Sequence, residues 1–270
     1  MKCGEYLFNE DSYTTPENTR QFLLNRLLFG WRFYFYFRNF LVFCQSGNCA
    51  KNGKLDKDHQ IYYSNKNIKL VEGCGGKIEL RGLDNLKKVE GEPVILMGNH
   101  MSLLETALFH AIVRPHIDFT FVIKQSLLKV PYFGHIMRSL KAIPVGRDNP
   151  REDLKAVLGG GKEILQEGRS IILFPQSTRS ETFNPDSFNS IGIKLAKKAG
   201  VKVIPFALKT DFLGNGKLFR DLGPVRPERK IHFEFAEPIT IQGNGKEEQQ
   251  QIIDFVGSRL AEWTAQENAD

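Results

Sequence analysis

Apolar residues fall into short, near-continuous runs separated by stretches of helical spacing. Six runs have the length and content of strands, at 77–80, 93–97, 118–123, 170–174, 202–208 and 230–235. Between several of them the period changes to that of a helix, at about 102–113, 151–167, 187–199 and 247–264. Strands that are apolar on both faces and alternate with helices predict an α/β fold. The expected form is a mixed, largely parallel sheet with flanking helices. Pro205 interrupts the fifth run, and a proline inside a strand predicts a sheet edge or a bulge. No internal repeat or low-complexity tract is present.

The most lipophilic stretch precedes this alternation. Residues 21–44, QFLLNRLLFGWRFYFYFRNFLVFC, are long enough to cross a bilayer, but Arg26, Arg32 and Arg38 interrupt them. Each arginine costs about 2.5–3.5 kcal/mol at the centre of a spanning helix. The uninterrupted runs 33–37 and 39–44 are too short to span. Six-residue spacing sets the arginines about 120° apart around a helix, so they form no single polar stripe. One reading is a helix packed on protein with its arginines snorkelling outward. The other is an interfacial anchor, aromatic and basic like the headgroup zone. The expectation is the anchor: residues 1–50 form an N-terminal membrane-associating helical segment, and residues 51–270 form the domain that holds the sheet. The chain is then peripheral or monotopic on the cytoplasmic face of a membrane. Residues 45–76 are polar and rich in Gly, Asn and Lys, which predicts a connector. Residues 1–20 are polar, with Glu5, Glu10, Asp11 and Glu17, and show no signal-peptide pattern.

Composition narrows the partner. With 41% hydrophobic and 25% charged residues, the 270-residue chain is globular. Its net charge of +6 favours an anionic partner. There is no basic block, zinc-finger spacing or RNP-like motif, so no nucleic acid is expected. Cys3, Cys44, Cys49 and Cys74 complete no zinc pattern and are expected as free thiols in a reducing compartment. His59, His110, His116, His135 and His232 have no spacing that argues for a metal. The GGGKE run at 159–163 fails the spacing of a phosphate-binding Walker loop.

The chemistry sits where strands end. In PVILMGNHMSLLETALFH, residues 93–110, a buried run meets Gly98, then Asn99 and His100. Open α/β sheets bind ligands at the carboxyl ends of their strands. Ser102-Leu-Leu-Glu105 has the form of a capping box, which by itself accounts for Glu105. It does not account for His100. A carboxylate across one helical turn can hold one imidazole nitrogen and leave the other to accept a proton. No Gly-x-Ser-x-Gly nucleophile is present, so the hydroxyl to be activated belongs to a substrate. In SIILFPQSTRS, residues 170–180, a strand meets Pro175 and then Gln176, Ser177, Thr178, Arg179 and Ser180. Arg179 presents a planar fork suited to phosphate. KAIPVGRDNP, residues 141–150, ends a third apolar run in Gly146 and Arg147.

In order along the chain, NHMSLLE, IPVGR, FPQSTRS and VIPFAL resemble the four motifs of the glycerolipid acyltransferases, in particular the 1-acylglycerol-3-phosphate acyltransferases. The resemblance covers roughly residues 77–240, and the stretch from Lys124 to Arg147 also matches the family's spacing. It implies acyl transfer from a thioester to the free hydroxyl of 1-acylglycerol-3-phosphate, giving phosphatidate, with no metal or cofactor. The implied donor is acyl-CoA or acyl-carrier protein, the acceptor a lysophospholipid, and the working place a membrane surface. His100 is then the general base and Glu105 its partner. Arg147, Gln176, Ser177, Thr178, Arg179 and Ser180, with Lys124, are the implied substrate-binding residues.

Two departures bear on this. Glu105 stands where the family usually has Asp, and Gln176-Ser177 replace its usual Glu-Gly. The loss of an acid at 176 predicts a more positive pocket and a preference for a phosphomonoester. Two alternatives stay open: an acyltransferase for another lysophospholipid or a non-glycerol acceptor, and a non-catalytic membrane lipid-binding module.

Overall fold

A computed structural model describes residues 2–28, 30, 32–216, 219 and 221–269. Phe29 and Trp31 of the aromatic segment lie outside the described residues. Eight strands form one sheet: β1 (Tyr13–Thr14), β2 (Ile78–Arg81), β3 (Ile95–Gly98), β4 (Phe119–Lys124), β5 (Ile143–Val145), β6 (Ser170–Leu173), β7 (Val203–Lys209) and β8 (Ile231–Phe235). The helices are α1 (Leu23–Leu27), α2 (Arg32–Lys51), α3 (Lys57–Gly73), α4 (Asp84–Lys87), α5 (Leu104–Ile112), α6 (Phe133–Ser139), α7 (Pro150–Gln166), α8 (Ile191–Ala199) and α9 (Lys246–Ala269).

The strand order is β1-β2-β8-β7-β3-β6-β4-β5. From β7 to β5 all neighbours are parallel, β8 runs antiparallel to β7, and β1 is an antiparallel edge on β2. The sheet is thus mixed and largely parallel. β3, β6 and β7 are buried at every position, the condition of central strands covered on both faces. Their alternation divides the core into two layers. Leu96, Ile172, Ile204 and Phe206 pack with α3 and α5 residues such as Ile68 and Phe109. Ile95, Ile171, Leu173 and Val203 pack with Ile164, Leu195 and Ile252 of α7, α8 and α9. Each such fully buried aliphatic side chain contributes about 1.5–3 kcal/mol of burial.

Pro205 does not lie on an edge, since β7 has β3 on one side and β8 on the other. It lies at a bulge. Between the Phe206–Phe235 pair and the Val203–Ile239 bridge, the register shifts by one residue. A proline is tolerated there because the ladder is already interrupted.

The expected connector at 45–76 is instead helical. α2 continues to Lys51, and α3 follows, capped by Asp56, whose side chain accepts from the His59 amide at 2.9 Å. The polar composition of α3 hid it, because its buried face is partly polar: Ser64, Asn65 and Asn67 are buried alongside Ile61 and Ile68. Ser64 Oγ donates to the carbonyl of Ala107 at 2.6 Å and accepts from the amide of Ala111 at 2.8 Å, so hydrogen bonds join α3 to α5. The arm strand β1 and α6 likewise lacked the length for a clear pattern.

The N-terminal helices are built into this fold. α2 packs along α3 and α6. Phe35 is buried with its ring edge-on to Phe212 at 5.7 Å, and Tyr36 donates to the Gly223 carbonyl at 2.9 Å. Gly47 touches Tyr132 so closely that a Cβ there would collide with it. The opposite side of α2 exposes Phe33, Phe37, Phe40 and Leu41, whose spacing makes one apolar face. Leu23, Leu24 and Leu27 of α1 are exposed as well. No helix among the described residues is long and apolar enough to cross a membrane.

Candidate active site

The site begins where β3 ends. A Cβ on Gly98 would collide with the carbonyl oxygen of Phe206, so only glycine lets β3 and β7 approach there. The buried side chain of Asn99 then continues the seam: Oδ1 accepts from the Leu208 amide at 2.9 Å, and Nδ2 donates to the Leu208 carbonyl at 2.8 Å. The backbone is therefore pinned immediately before His100.

His100 Nδ1 donates to Glu105 Oε2. Its ring stacks on Phe174, with centroids 4.2 Å apart and planes at 19°. With Nδ1 on the carboxylate, Nε2 is the nitrogen that can accept a proton. Glu105 is 0% exposed. Its other oxygen, Oε1, accepts from the amides of Met101 (3.0 Å) and Ser102 (2.5 Å) and from Thr210 Oγ1 (2.5 Å). Four donors around one carboxylate suit a group that only accepts. The two oxygens of Glu105 thus have different partners: Oε1 meets the amides just before α5, and Oε2 meets the imidazole. The reciprocal half of the capping box is absent, since Ser102 Oγ accepts from the Leu104 amide at 3.1 Å and donates to Thr210 Oγ1 at 2.9 Å.

The loop after β6 wraps the same histidine. Ser177 holds a left-handed φ of 58°, which reverses the chain after Pro175. Asn189 Nδ2 braces that turn, donating to the Pro175 carbonyl and to Ser177 Oγ at 3.3 Å. Gln176 is buried, and its Oε1 accepts from the His100 amide at 3.1 Å. The Ser180 amide donates to the His100 carbonyl at 2.9 Å. Gln176 and Ser180 therefore contact the backbone of His100.

A cavity of about 630 Å³ opens beside His100. Lys124 at the end of β4, Arg147 after β5, and Ser177, Thr178 and Arg179 all line it. Gln176 and Ser180 are not among its lining residues. Its apolar wall comes from Phe40 and Phe43 of α2, Leu104 of α5, Phe121 of β4, and Phe133 and Met137 of α6. His110 also lines it; burial pushes this imidazole well below its ordinary range, and Nδ1 accepts from Arg114 Nε at 3.0 Å. Arg147 has a left-handed φ of 70°, and its amide donates to Asp153 Oδ2 at 3.0 Å, tying the β5 exit to the first turn of α7.

The expected excess of positive charge is moderated. Asp153 and Asp221 line the cavity too, and Arg179 Nη2 pairs with Asp221 Oδ1 at 2.6 Å. Asp221 lies 42 residues beyond Arg179, so local sequence gave no sign of the pair. Four contributors escaped the motif reading: Phe174, Thr210, Asn189 and the hydrogen-bonding role of Asn99. The available signal was a polar residue directly following a buried strand, as Thr210 follows β7.

Residues 77–209 match the family model described as Acyltransferase. A 1-acyl-sn-glycerol-3-phosphate acyltransferase of Pseudomonas aeruginosa is 33% identical over 134 residues, half of each chain. A chloroplastic enzyme of the same name from Arabidopsis thaliana is 30% identical over 142 residues, 53% of this chain and 37% of its own length. This chain thus spans half or less of those curated relatives. A lyso-ornithine lipid O-acyltransferase of P. aeruginosa is 26% identical over 172 residues, 58% of this chain and 64% of that protein. The crystal structure of the 1-acyl-sn-glycerophosphate (LPA) acyltransferase PlsC from Thermotoga maritima shares the fold. Its TM-score is 0.68 at 21% identity, covering 89% of this chain and 97% of that one. Residues 77–209, which hold the ordered motifs at the strand exits, thus form an acyltransferase domain similar in sequence to 1-acyl-sn-glycerol-3-phosphate acyltransferases.

Proposed function

We propose that this chain is a membrane-associated O-acyltransferase that moves a fatty acyl group from a thioester to the free hydroxyl of 1-acylglycerol-3-phosphate, giving phosphatidate. The observation that carries the reading is the His100–Glu105 pair beside a cavity with apolar walls and the cations Lys124, Arg147 and Arg179. His100 Nε2 takes the proton of the acceptor hydroxyl as its oxygen attacks the thioester carbonyl. Glu105 stabilises the resulting imidazolium through Nδ1. The tetrahedral intermediate collapses, the carbon–sulfur bond breaks, and the thiolate leaves with the proton from Nε2. The acceptor is itself the nucleophile, so no acyl-enzyme is required.

In this reading Arg147 and Arg179, with Lys124, Ser177 and Thr178, hold the acceptor's phosphate by charge-assisted hydrogen bonds. The phosphate displaces Asp221 from Arg179. Gln176 and Ser180 are left out of the acceptor site because neither lines the cavity. Residues 1–50 rest on the membrane as one layer of the fold. The apolar face of α2 and the exposed leucines of α1 enter the interface, supported by the net positive charge. Acyl-CoA or acyl-carrier protein then reaches the site from the aqueous side, on the cytoplasmic face.

A second reading keeps the chemistry and changes the acceptor. It is favoured by Gln176-Ser177 and by the relative named for lyso-ornithine lipid. The test mixes acyl-CoA with lysophosphatidate, a lysophosphodiester, lyso-ornithine lipid or monoacylglycerol and follows free CoA. The proposal expects lysophosphatidate to turn over fastest, and His100→Ala to lose about 10²–10⁴-fold at unchanged thermal unfolding. His100→Ala within tenfold of wild type removes the general base from the mechanism. A preference for another acceptor selects the second reading.

A further inference from the structure

The two backbone bonds to His100 share one source. Gln176 Oε1 accepts from its N–H, and the Ser180 amide donates to its carbonyl, so the loop after β6 holds both polar groups of the residue. That loop also carries Thr178 and Arg179, which line the cavity. Its shape is held by the left-handed turn at Ser177, the Ser177 amide on the Phe174 carbonyl at 3.1 Å, and the bonds from Asn189. Buried polar groups keep such bonds because water cannot replace them.

We propose that Gln176 is a positioning residue for His100, and that its side-chain carbonyl sets where the imidazole stands relative to the loop that carries Arg179. The proposal rests on the acyl-transfer reading above for its catalytic consequence. The bond needs only an acceptor, which glutamine supplies without adding charge. Glu105 then remains the carboxylate bonded to His100. The charged groups lining the same cavity are Lys124, Arg147, Asp153, Arg179 and Asp221. A carboxylate at 176 adds one negative charge beside the imidazole and favours its protonated form.

Two variants separate the roles. Gln176→Met keeps the length and loses the acceptor. Gln176→Glu keeps the acceptor and adds the charge. For Gln176→Met the expectation is a kcat at least about tenfold lower with an unchanged acceptor KM, because a misplacement of order 1 Å can cost about 10²-fold. Amide hydrogen exchange at His100 should also be at least about tenfold faster. For Gln176→Glu, kcat should stay within a few-fold, and the acid limb of the pH–rate profile should move to higher pH. The limb reports the added charge, whereas retained kcat in Gln176→Glu beside lost kcat at unchanged KM in Gln176→Met reports the positioning bond. The proposal is overturned if Gln176→Met leaves His100 exchange unchanged, or if it raises acceptor KM at constant kcat, which returns Gln176 to the acceptor site. Should Gln176→Met fail to fold, Gln176→Asn, with its carbonyl drawn back, takes the same two measurements. A wild type that releases no CoA with any acceptor defeats the acyl-transfer reading, while the exchange comparison still decides the grip on His100.

Discussion

Thr210 Oγ1 donates to Glu105 Oε1 at 2.5 Å across 105 residues of sequence, so the carboxylate that meets His100 is held from behind by the end of β7. This arrangement determines what Glu105→Gln should do. Met101, Ser102 and Thr210 all donate to the Oε1 position, so the carbonyl of glutamine must take that place. Its NH₂ group then faces His100 Nδ1, which must accept, and the ring proton moves to Nε2. The base has the wrong tautomer. The expected loss is about 10²–10⁴-fold in kcat with only a small change in melting temperature. A glutamine variant of normal rate would leave Glu105 a capping role alone.

Ser177 occupies a conformation that its side chain disfavours, at the place where the related motif carries glycine. A left-handed residue with a Cβ costs about 1–2 kcal/mol. Ser177→Gly also loses the 3.3 Å contact with Asn189, which is long and exposed. The net expectation is a stability gain of about 1 kcal/mol at most, read as a higher melting temperature. A fall in melting temperature would mean that the contact with Asn189 outweighs the strain.

The apolar side chains of α1 and α2 that face away from the core are the proposed membrane contact. Leu23, Leu27 and Phe37 are 70%, 62% and 60% exposed, and none of them lines the cavity beside His100. The triple change Leu23→Gln, Leu27→Gln, Phe37→Gln should release the protein from sedimenting vesicles that contain anionic lipid. Thermal unfolding should hardly change, since little buried surface is lost. Deleting α2 is a poorer test, because Phe35 is buried against Phe212 and Phe43 helps to wall the cavity. Undiminished sedimentation of the triple variant would remove this face from the interface.

Acid should destabilise the fold through His232. Burial pushes its pKa down to about 3, and Lys230, Lys209 and Arg81 add to the effect. The ring stacks on Trp263 at 4.8 Å. An unfolded histidine titrates near about 6.5. The folded state therefore binds fewer protons between those values, and stability present above pH ~6.5 is lost as pH falls toward ~3. Buried His110 contributes with the same sign. The expected loss is on the order of a few kcal/mol. Melting temperature measured from pH 7 to pH 4 should fall less steeply for His232→Gln than for wild type. Equal slopes would exclude His232 as a source of the acid sensitivity.

Much of this protein was determined by sequence alone. Runs apolar on both faces had to become central strands, because no other placement buries them. The helical period between runs had to cover the sheet. Gly98, His100 and Glu105 fell at a strand exit for the same reason, and their spacing across one helical turn already allowed a bond. Local pattern failed where burial is polar or partners are distant. α3 was illegible because hydrogen bonds from Ser64 substitute for part of an apolar stripe. Gln176 and Ser180 have the composition of an anion-binding loop, and only the turn at Ser177 directs them to the backbone of His100. Thr210 behind Glu105 and Asp221 on Arg179 were decided by chain crossings that bring segments 105 and 42 residues apart into hydrogen-bonding distance. Period and propensity act over a few residues, whereas a hydrogen bond depends on atoms meeting in space; the sheet order brought these atoms together.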